Sequence, residues 1–227
     1  MNVFSINRGR AEPITNAKKS GVTGIYKRPV NGAVAITREG VADDVICDRK
    51  NHGGPDQAIY IYGMPEYAWW SDELGYQVLP GTFGENLTLT DFLSASMAIG
   101  DQLHIGDVIL EVTAPRIPCV TLARRMDDPA FLVRFRAAAR PGVYCRVISE
   151  GSIQVGDPVT YHPYQGERVT VVELFHDFFT PDHDVATLRR HLAAPLAIRA
   201  RREKEEQLSR LLATGDRERS AELMKHE

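Results

Sequence analysis

Four short stretches of this 227-residue chain carry residue types able to do chemistry. The densest is Lys50-Asn51-His52-Gly53-Gly54-Pro55-Asp56-Gln57-Ala58. Adjacent glycines let a backbone approach a ligand closely, and consecutive N–H groups can cradle an anion. His52, at the edge of the loop, could donate to a phosphate or to a metal-bound oxygen. A solvated hairpin loop with a capping histidine has the same spacing. The second stretch is Thr113-Ala114-Pro115-Arg116-Ile117-Pro118-Cys119. Its two prolines stiffen the approach to one cysteine by fixing φ, and Arg116 places beside it a permanent positive charge that favours thiolate. A thiolate is both a nucleophile and a soft metal ligand, whereas a lone cysteine in apolar surroundings is only a small hydrophobe.

In Gly81-Thr82-Phe83-Gly84-Glu85-Asn86-Leu87-Thr88, Asn86 could hydrogen-bond a heterocycle and Glu85 could act as an acid or base; a turn entering a strand reads the same way. Tyr26-Lys27-Arg28-Pro29-Val30 sets two cations side by side, suited to a phosphate or to solvent. Cys47 and Cys145 lack the setting of Cys119, and Cys145 sits in the alternating run Gly142-Val143-Tyr144-Cys145-Arg146-Val147-Ile148, which marks it as structural. Three cysteines cannot all pair within one chain, which fits a reducing compartment. The sequence has no Walker loop, Gly-x-Gly-x-x-Gly turn, His-Glu-x-x-His, Cys-x-x-Cys or Gly-x-Ser-x-Gly elbow. Redox chemistry here would draw its electrons from elsewhere.

The elements that must position these residues change character near Tyr161-His162-Pro163-Tyr164-Gln165-Gly166. Before that point, β-type runs at Val3–Ile6, Ala33–Thr37, Ala58–Tyr62, Val108–Thr113 and Val143–Ile148 are separated by Gly, Pro and Asp, the pattern of a sheet-rich sandwich or barrel. Two helices interrupt them, one over about Pro65–Leu74 and one over about Pro129–Ala139, where apolar residues recur at the helical period. Gly100-Asp101, Gly106-Asp107 and Gly156-Asp157 read as tight turns. After the boundary, Val171, Leu174, Phe175, Phe178 and Phe179 trace one helix face, ended by Thr180-Pro181-Asp182. Val185, Leu188 and Leu192 mark a second helix, and a third runs from beyond Pro195 toward Leu212, with a polar, frayed tail from Gly215. So small a bundle buries little core by itself and should dock on the larger part or on a partner.

Composition bounds the function. Apolar residues are 43% and charged residues 25%, a globular balance, and the formal net charge of −3 argues against a general nucleic-acid or membrane-surface binder. No apolar run approaches a membrane span and no long apolar signal region opens the chain. The expectation is a soluble, cytoplasmic protein.

Taken in order, Lys27-Arg28-Pro29, His52-Gly53-Gly54-Pro55-Asp56, Phe83-Gly84-Glu85-Asn86-Leu87, Pro115-Arg116-Ile117-Pro118-Cys119 and Gly142-Val143-Tyr144-Cys145-Arg146-Val147 resemble the MOSC domain, the C-terminal domain of molybdenum cofactor sulfurases, and within it the YiiM-like proteins. The resemblance covers about Thr23 to Leu212. It implies a mainly β fold, a β-barrel-like MOSC domain with a few helices over residues 1–163, followed by a small three-helix domain over residues 164–227. It implies a molybdenum–pterin cofactor, with Cys119 ligating the metal and His52, Gly53, Gly54, Asn86 and Arg116 lining the pocket. Lys27, Arg28 and Arg146 become candidates for the cofactor's phosphate, and His52 or Glu85 for proton donation. The implied activity is reduction of N-hydroxylated compounds, such as N-hydroxylated purines, by electrons from a separate reductase. A small-molecule substrate, no nucleic acid, no membrane, and room for a homodimer complete that picture. A carrier that stores cofactor or passes sulfur through Cys119, and a Cys119–His52 hydrolase, are the competing classes. One departure stands out: the family's Gly-x-x-Gly-Asp reads Gly40-Val41-Ala42-Asp43-Asp44 here, and Asp tolerates the left-handed backbone that the missing glycine would adopt.

Overall fold

The computed structural model describes the chain except residues 18–20, 49–51, 182–183 and 224–227, with side chains described up to residue 214. Lys50 and Asn51 of the His-Gly-Gly stretch and Asp182 therefore lie outside the described residues.

Eight strands form one mixed sheet, in the order Thr160–His162, Gln102–Ile105, Val108–Pro115, Val143–Ser149, Ile59–Gly63, Leu87–Leu89, Val3–Arg8 and Arg28–Pro29. All neighbours are antiparallel except Ile59–Gly63 and Leu87–Leu89, which run parallel. The two outermost strands do not pair with each other, so among the described residues the sheet is open and the expected barrel closure is not found. A second, three-stranded sheet of Gly151–Ile153, Val34–Thr37 and Gly40–Val41 lies beside it. The five β-type runs of the sequence all become strands because each alternates or concentrates β-branched and aromatic residues between turn formers. Gly106-Asp107 turns Ile105 back onto Val108, its glycine at φ 57°, and Asp101 anchors another turn by accepting from the Ala98 N–H at 2.7 Å.

Strand Ile59–Gly63 is buried throughout and divides the interior. With a side-chain period of two, Ile59 and Ile61 enter an aliphatic core with Leu110, Val112, Val143 and Cys145, while Tyr60 and Tyr62 enter an aromatic one. That second core gathers Trp70 of helix α1 (Met64–Leu74), Phe83, and Phe131 and Phe135 of helix α3 (Phe131–Ala138). Between them lies a helix the sequence pattern did not disclose, α2 (Val120–Arg125), starting directly after Cys119.

The last segment forms α4 (Val171–Phe179), α5 (Val185–Ala193) and α6 (Ile198–Leu223), the last running past Gly215. Thr170 and Asp184 cap the first two through side-chain oxygens that accept from the Glu173 and Thr187 N–H groups. These helices are not an independent layer. Val171, Leu174, Ala194 and Leu196 join the aliphatic core of the sheet, and Phe175 joins the aromatic one. Phe178 alone of the aromatic stripe stays exposed, at 56%. No helix among the described residues is long and apolar enough to cross a membrane.

Candidate functional site

Strand Val108–Pro115 carries the chain to Arg116, and the two prolines then hold an extended path to Cys119. Cys119 keeps extended backbone (φ −130°, ψ 167°) as the residue that opens α2. It lies where a cavity of about 90 Å³ meets a groove of about 700 Å³. His52, Gln57, Thr121 and Tyr144 line both spaces with it.

Burial pushes the Cys119 thiol up, but the opposing effects are larger. A hydrogen bond with His52, the Arg116 guanidinium, the charge of the His52 ring and the Leu122 amide together bring it down to about 6. Arg116 is 4% exposed, lies 5.4 Å from the Tyr60 ring centroid, and makes no ion pair with a carboxylate among the described residues. One of its nitrogens, Nη1, is buried without a hydrogen-bond partner. Tyr60 and Tyr144 complete this wall, and burial pushes both hydroxyls up, which keeps them neutral. The site thus holds a polarised thiol beside a buried cation with spare hydrogen-bonding capacity, an arrangement suited to soft-metal ligation and to anions. Among the described residues no three His, Cys, Asp or Glu side chains cluster as a metal site.

The structure brings together six of the residues expected from sequence: Lys27, His52, Gly53, Asn86, Arg116 and Cys119 all line the 90 Å³ cavity. Gly53 is needed as glycine: its φ is 78°, and a Cβ there would stand 2.9 Å from the Ile46 Cδ1. Four others fall elsewhere. Glu85 is fully buried and does not face the cavity; its Oε1 accepts from the Tyr67 hydroxyl (2.6 Å), the Gly81 N–H (2.6 Å) and the Thr88 hydroxyl (2.8 Å). Burial holds its carboxyl above the usual range, and its work is to tie α1 to the loop before Leu87–Leu89. Arg28 is largely exposed and paired with Glu12. Gly54 starts the short turn Pro55–Gln57 instead of lining the cavity. Arg146 reaches Asp56 (3.0 Å), Glu111 (3.4 Å) and the carbonyls of Pro195 and Leu196, which makes it a clamp between sheet, loop and helices.

Sequence reasoning missed Asp44. Its Oδ2 accepts from the Lys27 ammonium and from Asn86 Nδ2 (3.0 Å), and its Oδ1 from the Gly9 N–H (2.7 Å). The signal was present, since Asp44 closes the Gly-x-x-Gly-Asp pattern, and Asp43 in the glycine position does adopt the left-handed backbone at φ 61°. Asn86 Oδ1 accepts from the Tyr60 N–H at 3.2 Å, so this amide is mostly engaged within the protein, with one N–H left over. Cys47, dismissed on its sequence setting, also lines the cavity, whereas Cys145 is fully buried and burial pushes its thiol far up, as a structural role requires.

A fold built on an open eight-stranded mixed sheet with a cysteine at a strand-to-helix corner defines a class that comparison with known proteins specifies further. The family model described as the MOSC domain matches residues 48–160. The uncharacterized protein YflK of Bacillus subtilis (strain 168) is 34% identical over 155 residues, covering 68% of this chain and 70% of that protein. A protein named Reductase from Gibberella moniliformis is 35% identical over 142 residues, 60% of this chain but only 25% of the fungal protein's length. The crystal structure of YiiM from Geobacillus stearothermophilus matches with a TM-score of 0.76 and 25% identity, covering 91% of this chain and 98% of that one. The chain belongs to the MOSC domain family.

Proposed function

We propose that this protein is a molybdenum-cofactor-dependent oxidoreductase that reduces N-hydroxylated small molecules with electrons from a separate reductase. The observation that carries the reading is the Cys119 thiol, brought to about 6 by His52 and Arg116 against its own burial, at the meeting point of a polar cavity and a roomier groove. Family membership and a relative named Reductase support it.

The residues fit the cofactor in kind. Cys119 offers a thiolate to a soft metal, and the unpartnered Nη1 of Arg116 offers a buried donor to an anionic group. Lys27, Arg28 and Arg146 are weaker candidates for the phosphate because each is already paired with a carboxylate. When bound, the cofactor supplies a two-electron centre: an N–OH group plus two electrons and two protons gives N–H and water. The chain's own part is to fix the sulfur, to keep it ionised through Arg116, and to hold the His52 ring in hydrogen-bond contact with the Cys119 sulfur as a candidate proton donor. His52 takes this role alone, since Glu85 does not reach the cavity.

Metal analysis of protein made in a cofactor-synthesising host tests the reading: wild type should carry molybdenum and Cys119→Ala should not. Metal-free wild type would overturn it, and metal retention without substrate-dependent oxidation of the reduced protein would leave a carrier. The Cys119–His52 hydrogen bond also supports a second reading, acyl transfer by a thiolate–imidazole pair. That reading predicts a burst with activated esters from metal-free protein.

A further inference from the structure

Two thiols line the small cavity, and the proposed chemistry uses one of them. Cys47 and Cys119 share the space of about 90 Å³, and both are free and half-buried, whereas Cys145 is enclosed in the aliphatic core. Cys47 belongs to neither helix nor strand; it sits on the loop that carries Asp44. That loop is fastened on both sides of it. Ahead of Cys47, the Val45 N–H donates to the Gly9 carbonyl at 3.2 Å, and the Val45 carbonyl packs so closely on Gly24 that no Cβ would fit there. Beyond it, the Asp48 carbonyl accepts from the His52 N–H at 2.9 Å, while Ile46 lies over Gly53. The His52 side chain in turn hydrogen-bonds the Cys119 thiol. Asp48 and His52 alone therefore connect the two cysteines, and both line the one cavity.

We infer that Cys47 is the resolving thiol of Cys119, so that a hydroperoxide converts the pair into a Cys47–Cys119 disulfide that closes the cavity. In the first step the O–O bond of the peroxide breaks as an S–O bond forms on Cys119; the sulfur is oxidised by two electrons to a sulfenic acid, and water or an alcohol leaves. In the second step the Cys47 sulfur attacks that sulfenic acid; the S–S bond forms, the S–O bond breaks, and hydroxide leaves as water with the thiol's proton. Cys119 reacts first because the Arg116 charge and the His52 hydrogen bond favour its thiolate, but attack in either order yields the same bond. A sulfenic acid without a neighbouring thiol proceeds to the irreversible sulfinic acid, so Cys47 keeps the oxidation reversible by a dithiol. The inference goes beyond the proposed function and meets it at one point. A sulfur held in a disulfide has no thiolate to give a metal, so peroxide and metal compete for one atom.

In the test, cofactor-free full-length protein is treated with hydrogen peroxide, its remaining thiols are blocked, and the unreduced digest is read by mass spectrometry. Wild type should give the Cys47 and Cys119 peptides linked, lighter by two hydrogens than the reduced pair, with Cys145 unmodified, and a dithiol should restore both thiols. With dimedone present during oxidation, Cys47→Ser should accumulate at least about fivefold more Cys119 adduct than wild type. Equal trapping in the two proteins with no linked peptide overturns the inference, as does a link that forms only between chains and vanishes on dilution. Should Cys47→Ser not fold, Cys47→Ala is read in its place, and the linked peptide of wild type decides the matter without any variant. Molybdenum-bearing protein separates this result from the cofactor reading: there the disulfide should form only as metal is lost. A disulfide formed with the metal retained counts against Cys119 as the metal's ligand and leaves the inference standing.

Discussion

At the scale of single residues, the site is an exercise in opposing electrostatic effects on one sulfur. Burial disfavours the Cys119 thiolate, and His52 and Arg116 more than compensate. Alkylation of Cys119 by iodoacetamide, followed by peptide mass spectrometry, should therefore rise through a midpoint near pH 6. His52→Ala should move that midpoint upward, toward the ordinary thiol range of about 8.5. The same depression has a stability consequence. The folded thiol releases its proton more easily than the unfolded one, so stability should increase as pH rises from about 6 toward the ordinary thiol value and be lost as pH falls through about 6. Urea unfolding across that window should show the slope in wild type and lose it in Cys119→Ala. Asp44 is the other residue on which the cavity depends. Asp44→Ala strands the Lys27 ammonium, 8% exposed, without its carboxylate, and should lower unfolding stability by about 3–5 kcal/mol. Cys119 was legible in the sequence because prolines and a fixed charge surround it within four residues. Asp44 was not singled out because its partners, Lys27 and Asn86, are far from it along the chain and only the folded loops bring them to it.

At the scale of elements, the His-Gly-Gly-Pro-Asp loop joins the sheet to the helices. Asp56 accepts from the Ile198 N–H at 2.6 Å, satisfying the start of α6, while its other oxygen meets Arg146 at 3.0 Å. Thr113 donates its hydroxyl to the Asp56 carbonyl at 2.6 Å from the strand that leads to Cys119. Arg146→Met should accordingly destabilise the protein by about 2 kcal/mol, the value of a lost charge-assisted hydrogen bond. Amide hydrogen exchange should accelerate in α6 and at the Pro195–Leu196 link, with the Cys119 alkylation profile unchanged. A shifted alkylation midpoint would instead return Arg146 to the site. The five longest β-type runs and the five longer helices were legible because their apolar patterns are intact, whereas short strands such as Leu87–Leu89 and Thr160–His162 were not singled out. Helix α2 was hidden because six residues are too few to display a helical period, and it forms where the sulfur, the aromatic core and the groove need a corner.

At the scale of the molecule, the helices complete the core that the sheet begins. Val171, Leu174, Ala194 and Leu196 occupy the same interior as Leu110 and Val112. A chain ended at residue 163 should therefore expose apolar surface, seen as strong binding of a hydrophobic dye and aggregation, whereas the full chain should bind little; a soluble, dye-silent fragment would show that the sheet closes its core unaided. The sequence by itself determined the element types, the reactive cysteine with its histidine and arginine, and the family, because periodicity, local charge and motif order are properties of neighbouring residues. Only the tertiary structure decided that the sheet stays open, that Glu85 is buried away from the cavity, that Arg28 and Arg146 are paired with carboxylates, and that Asp44 draws Lys27 and Asn86 together. Those outcomes depend on which distant groups are buried together, and burial, which sets both the cost of a charge and the partner it must find, is fixed by packing in three dimensions.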